Sequence, residues 1–406
     1  MRILTLHNRY RQRGGEDLST ESEVLVLREQ GHEVLVHTED NCSLGTTDLG
    51  RAALETTWNG RSYRAVRTLI REFQPQVVKV HNFFPLLSPS VYYAAEAEGV
   101  PIIQALHNYR PLCPGATFFR EGAACEACLG RIFPWPAVVR GCYRKNRCAT
   151  AAVAAMVSIH RAAGTWRDRV SMYIAPSEFA RRKFAEAGFP REKLTVKPNF
   201  LVEDPGAASG SGAFGLFVGR LTEGKGLETL LEAWRSLGGA VRLKIAGEGP
   251  LMGEVLRAAR SLGSVEVLGA RSIEEIYRLM GEAAFLVFPS ECYETFGRVA
   301  IEAFAKGTPV IASDIGAISE LVDHGRTGLL FRPGDAGDLA EAIEWFLLHP
   351  AEAARMRVEA RAEFLAKYTA EQNYGALMEI YESVIEGRQT VVLPSGAAAR
   401  AAGQAG

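Results

Sequence analysis

The sequence predicts an α/β protein of two domains, each laid around a parallel sheet. Three observations carry that reading. The chain has 406 residues, 47% of them apolar, enough to fill two cores of ordinary size. Short apolar runs alternate with segments of helical period through both halves, the pattern of βαβ units. Between the halves lies a stretch of linker composition, rich in Gly, Ala, Ser and Pro from Pro205 to Gly212. The first domain is therefore assigned residues 1–202 and the second 213–370.

In the first half, Ile3 to His7 reads as a strand, and a loop holding Gly14-Gly15-Glu16 separates it from a helix expected over Glu21 to Glu29. Glycines there permit a tight turn and close approach of backbone to a phosphate, with a plain turn as the alternative. The strand Val34 to His37 follows Gly31. A helix over Tyr63 to Phe73 leads to the buried strand Gln76 to His81, and Pro101 to His107 forms the next. His107 thus falls at the carboxyl end of a parallel strand, where ligands of open α/β sheets gather. A hydrogen-bonded core histidine is the alternative. A helix from Ala151 to Arg161, the strand Met172 to Ala175, and a helix capped by Ser177 and ended at Gly188 complete this half with the strand Leu194 to Lys197.

Five of the seven cysteines fall between positions 113 and 148. Cys125 and Cys128 have the Cys-x2-Cys spacing of a metal site, and with Cys113 and Cys142 they form a candidate structural zinc set. Buried free thiols packing a proline-bearing insertion are the alternative. The same segment interleaves Arg131, Arg140, Arg144, Lys145 and Arg147 with Phe133 and Trp135. That mixture suits anionic headgroups or an acceptor's phosphate, and equally a solvated basic loop.

The second half restarts with the strand Gly215 to Val218, the loop Gly219-Arg220-Leu221-Thr222-Glu223-Gly224-Lys225-Gly226, and a helix through Trp234. Arg220 as a planar fork and Lys225 as a point charge, set among glycines, suit phosphate oxygens. The order Gly-x4-Gly-Lys-[Ser/Thr] of a Walker A loop is absent. Strands Val241 to Ala246 and Val265 to Leu268 end in turns, the second carrying Arg271. The apolar run Phe285 to Phe288 then leads into a loop holding Glu294 and a helix holding Glu302. That helix begins near Phe296 and stops at Gly307, aiming the positive end of its dipole at an anion site. Gly325 to Phe331 reads as a hairpin or turn. Helices over Asp335 to Leu348, Ala351 to Phe364 and Ala370 to Ile385 close the chain.

Lys and Arg number 46 against 47 Asp and Glu, so the global charge gives no reason to expect nucleic acid. The chain opens on a strand pattern and not on a signal peptide, and its longest apolar window, Ala149 to Ile159, is too short to span a bilayer. The expectation is a cytoplasmic protein, at most in peripheral contact with the inner face of the cell membrane.

Taken together, Phe217-Val218-Gly219-Arg220-Leu221, Lys225-Gly226, Pro289-Ser290, Glu294-Thr295-Phe296-Gly297, Glu302-Ala303 and Gly307-Thr308-Pro309-Val310 resemble, in type and order, the retaining glycosyltransferases of family 4. The resemblance covers the chain to about residue 387 and is strongest over 215–335. It implies the GT-B fold, two facing Rossmann-like domains, with a last helix at 371–387 crossing back to the first domain and a disordered tail at 388–406. It also implies a hinge near 201–212 whose closure would bring Gly14, Gly15 and His107 against the donor.

By the same resemblance, Arg220 and Lys225 hold the diphosphate of a nucleotide-sugar donor and offset the charge developing on it. Glu302 accepts from the ribose hydroxyls. Glu294, with the backbone of Thr295, Phe296 and Gly297, holds the transferred sugar. Gly14 and Gly15 approach the donor phosphates, Arg271 lies near the base, and His107 lies near the sugar, although Asn108 stands where Asp commonly follows. No catalytic metal or cofactor is implied, and the acceptor is expected to be a glycan or a lipid-linked sugar. A catalytically silent nucleotide-sugar binder and a nucleotide-sugar epimerase of the same architecture are the rival readings.

Overall fold

The structure is a computed structural model and describes residues 1–10, 13–41, 49–208, 210 and 212–387. The expected tail at 388–406 and positions 209 and 211 of the expected linker lie outside the described residues. The chain divides into two compact units. One comprises Met1–Thr117, Glu126–Val202 and the chain from Asn373; the other comprises Phe118–Cys125 and Glu203–Gln372.

The first unit begins with β1 (Arg2–Arg9), α1 (Gly15–Glu29), β2 (Glu33–Asp40), α2 (Leu49–Thr57) and α3 (Gly60–Phe73). It continues through β3 (Val77–Asn82), α4 (Ser90–Ala97) and β4 (Ile102–Ala105). A short hairpin, β5 (Phe119–Arg120) with β6 (Ala123–Ala124), groups with the second unit. The first unit resumes with α5 (Trp135–Arg140), α6 (Arg147–Ala162), α7 (Thr165–Asp168), β7 (Met172–Ala175), α8 (Glu178–Glu186) and β8 (Leu194–Val196). Its sheet has the order β2-β1-β3-β4-β7-β8 and is parallel throughout.

Helix α1 starts at Gly15, six residues before the start expected at Glu21. The reason is a cap made from inside the first turn. Gly14 is extended, and its N–H donates to the Asp17 carboxylate at 2.9 Å, so Asp17 also places negative charge on the positive end of the dipole.

The second unit holds β9 (Phe214–Val218), α9 (Leu227–Ser236), β10 (Arg242–Ala246), α10 (Met252–Leu262), β11 (Val265–Gly269) and α11 (Ile273–Glu282). Then come β12 (Phe285–Phe288), α12 (Arg298–Ala305), β13 (Val310–Ser313), α13 (Ile318–Leu321), β14 (Gly328–Phe331), α14 (Ala336–Leu348) and α15 (Pro350–Lys367). Sheet order is β11-β10-β9-β12-β13-β14, again all parallel. The hairpin or turn expected at Gly325 to Phe331 is instead this last parallel strand. A Cβ at Gly328 would sit 1.9 Å from the Val310 carbonyl oxygen, so a glycine lets the two backbones meet, and Leu329 and Phe331 carry the strand into the core. Trp234 anchors that core, fully buried with its indole N–H on the Val241 carbonyl at 3.0 Å.

The last helix, α16 (Ala370–Ile385), sends Leu377, Ile380 and Tyr381 into the first unit's core against Ile3, Val24 and Val77. In each sheet the chain reverses its direction of growth at one place, between β1 and β3 in the first and between β9 and β12 in the second. Loops leaving those strands at their carboxyl ends bound the crevice where ligands of such sheets bind.

Candidate functional site

At the second unit's reversal point, the loop after β9 meets the loop after β12. The Glu291 N–H donates to the Gly224 carbonyl at 2.9 Å, and Thr229 of α9 donates to the Glu291 carboxylate at 2.6 Å. Gly226 has φ +65°, and a Cβ there would overlap the Pro289 carbonyl oxygen at 1.8 Å. Only glycine lets the chain turn there from Lys225 into α9. The loop after β10 closes on the same place, since the Leu221 N–H donates to the Glu248 carbonyl at 2.9 Å.

Lys225 and Glu294, one from each loop, are joined as an ion pair through Nζ and Oε1. The same oxygen accepts from Ser290 Oγ at 2.9 Å. Burial raises the Glu294 carboxyl, but the Lys225 ammonium and these hydrogen bonds outweigh it and hold the group below its ordinary range. Burial and the Glu294 charge push the Cys292 thiol up to about 12, so it is a neutral neighbour. Arg220 is exposed, and its charge is felt at Lys225. The two cations and Glu294 are thus brought together.

Gly297, at φ +123°, caps α12, and a Cβ there would come within 2.7 Å of the Phe288 ring. Thr295 and Phe296 lie in the run-in to this N-terminus, with Phe296 buried near Tyr368. Glu302 is buried on α12 and accepts from Arg298 Nε at 3.0 Å. Burial raises its pKa against the pull of Arg298. Arg271 makes its contacts within its own turn and helix. It follows the edge strand β11, bonds the Ala270 carbonyl at 2.9 Å and lies 4.0 Å from Glu275.

In the first unit, His107 Nε2 lies 3.0 Å from Nδ1 of His81, the rings stacked at 5.3 Å. Beyond His81 sits Glu23 of α1, whose carboxylate is 3.4 Å from His81 Nε2, 3.5 Å from Lys79 Nζ and 3.7 Å from Lys197 Nζ. It also accepts from the Tyr381 hydroxyl at 3.1 Å. Burial alone would raise Glu23, yet the surrounding cations hold it well below the ordinary range. Burial pushes His81 down to about 4 and Lys197 down to about 8, and lowers His107 as well. Glu23, Lys79, Lys197 and His107 line a small pocket.

The Asn108 departure has a structural reason. Its amide donates to Tyr10 Oη at 3.2 Å and to Glu16 Oε2 at 3.3 Å, and its oxygen accepts the Arg110 N–H at 3.0 Å. An aspartate would set a second carboxylate against Glu16, whose own carboxyl is pushed up by burial to about 7. Gly14 spends its N–H on Asp17, and the other Asp17 oxygen holds His7 Nε2 at 2.8 Å. Gly15 opens on free space, with no atom within 4 Å of where a Cβ would stand.

The four cysteines are not gathered into the expected zinc set. Cys125 falls with the hairpin in the second unit and the others in the first, and the buried Cys128 thiol faces the Pro134 carbonyl at 3.9 Å. Among the described residues no three His, Cys, Asp or Glu side chains converge as metal ligands would. Sequence reasoning missed Glu16, Glu23, Lys79 and Lys197. One signal was available: Lys79 and His81 alternate on one face of an otherwise apolar central strand, where an ion needs a buried partner.

Two doubly wound parallel units, each of six strands, define a GT-B fold. Residues 19–204 match the model described as Glycosyltransferase Family 4, and residues 214–349 match that of Glycosyl transferases group 1. The chain belongs to this glycosyltransferase family. It is 33% identical over 173 residues to an uncharacterized glycosyltransferase of Methanocaldococcus jannaschii, 42% of this chain and 48% of that one. It is 33% identical over 180 residues to glycogen synthase of Mycobacterium tuberculosis, 43% of each. The chain thus spans under half the length of these curated relatives. Its fold is shared with Anabaena HepE, solved in complex with UDP and glucose, at TM-score 0.71 and 19% identity over 94% of this chain and 100% of that one. No helix among the described residues is long and apolar enough to cross a membrane.

Proposed function

We propose that the protein is a retaining glycosyltransferase that moves a hexose-type sugar from a nucleotide-diphosphate sugar to a glycan or lipid-linked acceptor. The observation that carries this reading is the convergence of Arg220, Lys225 and Glu294 at the second sheet's reversal point, just ahead of the α12 N-terminus. Lys225 and Arg220 meet the diphosphate and offset the charge it gains as the anomeric C–O bond breaks. The acceptor oxygen bonds the anomeric carbon on the departing face, and its proton passes to a diphosphate oxygen. Glu294 positions the sugar hydroxyls, and Glu302 takes the ribose in exchange for Arg298.

His107, Asn108 and Glu16 at the carboxyl ends of the first sheet are assigned to sugar hydroxyls, with Gly15 leaving room for their approach. The likeness to a fold solved with UDP supports a uridine donor. The test is a donor panel read by thermal shift, followed by release of nucleoside diphosphate in the presence of saccharide acceptors. A stabilising nucleotide sugar and acceptor-dependent release are expected. Binding without release under any acceptor would make the protein a silent binder, and a new nucleotide sugar formed without acceptor would make it an epimerase.

A further inference from the structure

From Ala127 to Arg167 the chain contains no Asp or Glu but seven Lys or Arg residues, in a protein whose charges otherwise nearly cancel. Five of them, Arg131, Arg140, Arg144, Lys145 and Arg147, are exposed. The same short stretch exposes large apolar side chains that a core would normally take. Ile132 is 75% exposed, Val139 55%, Trp135 52% and Phe133 44%. The exposure follows from how α5 packs. Pro136 and Ala137 face inward, leaving Trp135 and Val139, one turn apart, on the outer face. Gly141, in the left-handed region at φ +64°, ends α5 and turns the chain into Tyr143-Arg144-Lys145, where Arg144 and Lys145 also hold positive φ. The Arg131 guanidinium lies 5.4 Å from the Trp135 ring centre.

We propose that the segment 131–147 is a docking surface for a bilayer containing anionic lipid. Cations and exposed aromatic and aliphatic tips have different uses, and one partner satisfies both. Lipid phosphates meet the cations, and the interfacial zone accepts Trp135, Phe133, Ile132 and Val139, with the long cationic side chains reaching back to the headgroups. A polyanion such as nucleic acid has no use for a 75% exposed isoleucine, and an acidic protein partner would have to bring an apolar pocket as well. The surface lies wholly within the first unit and does not depend on the donor assignment.

The full chain is mixed with vesicles of phosphatidylcholine alone and with vesicles of phosphatidylcholine plus phosphatidylglycerol, and the bound fraction is read by flotation. Two variants accompany it: Ile132→Ser with Trp135→Ser, and Arg140→Ala with Arg144→Ala and Arg147→Ala. All five positions are exposed, and an unchanged melting temperature and circular dichroism spectrum confirm the fold. Binding confined to anionic vesicles and weakened by salt is expected, falling about fivefold for each cation removed, and falling also in the serine variant. The proposal is overturned by no vesicle binding, by equal binding to neutral vesicles, or by binding that survives either variant. It is equally overturned if the serine change abolishes only self-association, or if heparin binds as strongly to the serine variant while vesicles do not bind at all.

Discussion

Lys225 of the loop after β9 is ion-paired with Glu294 of the loop after β12, so the cation proposed to receive a diphosphate is held by the carboxylate proposed to receive a sugar. The pair keeps both groups charged and in place before a donor arrives. In the proposed donor complex a diphosphate would replace one anion with another at Lys225, so no unpaired cation has to be kept in a partly buried position.

Lys225→Ala removes the charge that the leaving diphosphate would meet. Steady-state turnover should fall about 10²- to 10³-fold, the range seen when one preorganised donor to a developing anion is lost. Donor affinity measured by calorimetry should fall much less, because Arg220 remains. A variant with unchanged turnover would remove Lys225 from the chemistry.

Glu16 gives a pH prediction with a defined sign. Its carboxyl rises from 4.5 to about 7 in the folded chain because burial, helped by the Asp17 charge, outweighs the lowering pull of His7, Tyr10 and Asn108. The folded state therefore binds this proton more tightly than the unfolded chain. The stabilising contribution is complete below about pH 4.5 and is lost as pH rises through about 7. Glu16→Gln, neutral throughout, should melt at a temperature that declines less between pH 5 and pH 8 than that of the parent. Parallel melting profiles would contradict the raised carboxyl.

Much of this was legible from local pattern. The β12 strand, its loop and α12 were readable because a short apolar run, a glycine and a helical period follow one another within twenty residues, and the β9 loop because glycines flank Lys225. What was not legible depended on partners far apart in sequence. Lys79 reads as an oddity in a strand, and only the fold brings Glu23, Lys197 and Tyr381 to it from α1, the end of β8 and α16. The β14 strand was misread because its Gly-rich entry looks like a turn, and the glycine's purpose, contact with the Val310 backbone, lies on another strand. The zinc reading rested on spacing alone, and spacing does not say whether side chains converge; among the described residues no three ligand-type side chains do.

Glu23→Gln should be strongly destabilising. The carboxylate is buried and answers two buried ammonium groups, and Lys79 Nζ makes no hydrogen bond besides this ion contact. Removing the anion leaves that charge uncompensated, at a cost of about 3–5 kcal/mol. Urea unfolding should show the loss as a lower midpoint. The double change Glu23→Gln with Lys79→Met should recover part of it, since a neutral pair leaves less charge to answer. Failure of the second substitution to recover any stability would mean that Lys197 alone sets the cost.

Gly226→Ala separates the geometry of the proposed donor loop from its charge. Every charged group stays, but the new Cβ would stand 1.8 Å from the Pro289 carbonyl oxygen at a backbone φ of +65°. Neither side can yield cheaply, because the obstacle is backbone and the conformation is one that alanine disfavours. The loop after β9 must move away from the loop after β12, which breaks the Glu291-to-Gly224 hydrogen bond and draws Lys225 from Glu294. Donor-induced thermal stabilisation should disappear in a variant whose own melting temperature falls by several degrees yet still unfolds cooperatively. Gly224→Ala is the control from the same loop. At φ +81° it carries the same backbone strain, but the nearest atom to its Cβ would be on the Phe119 side chain, at 3.1 Å, and not on backbone, so it should retain more donor stabilisation than Gly226→Ala. Equal loss in the two variants would show that loop strain at large, and not the contact with Pro289, controls donor binding.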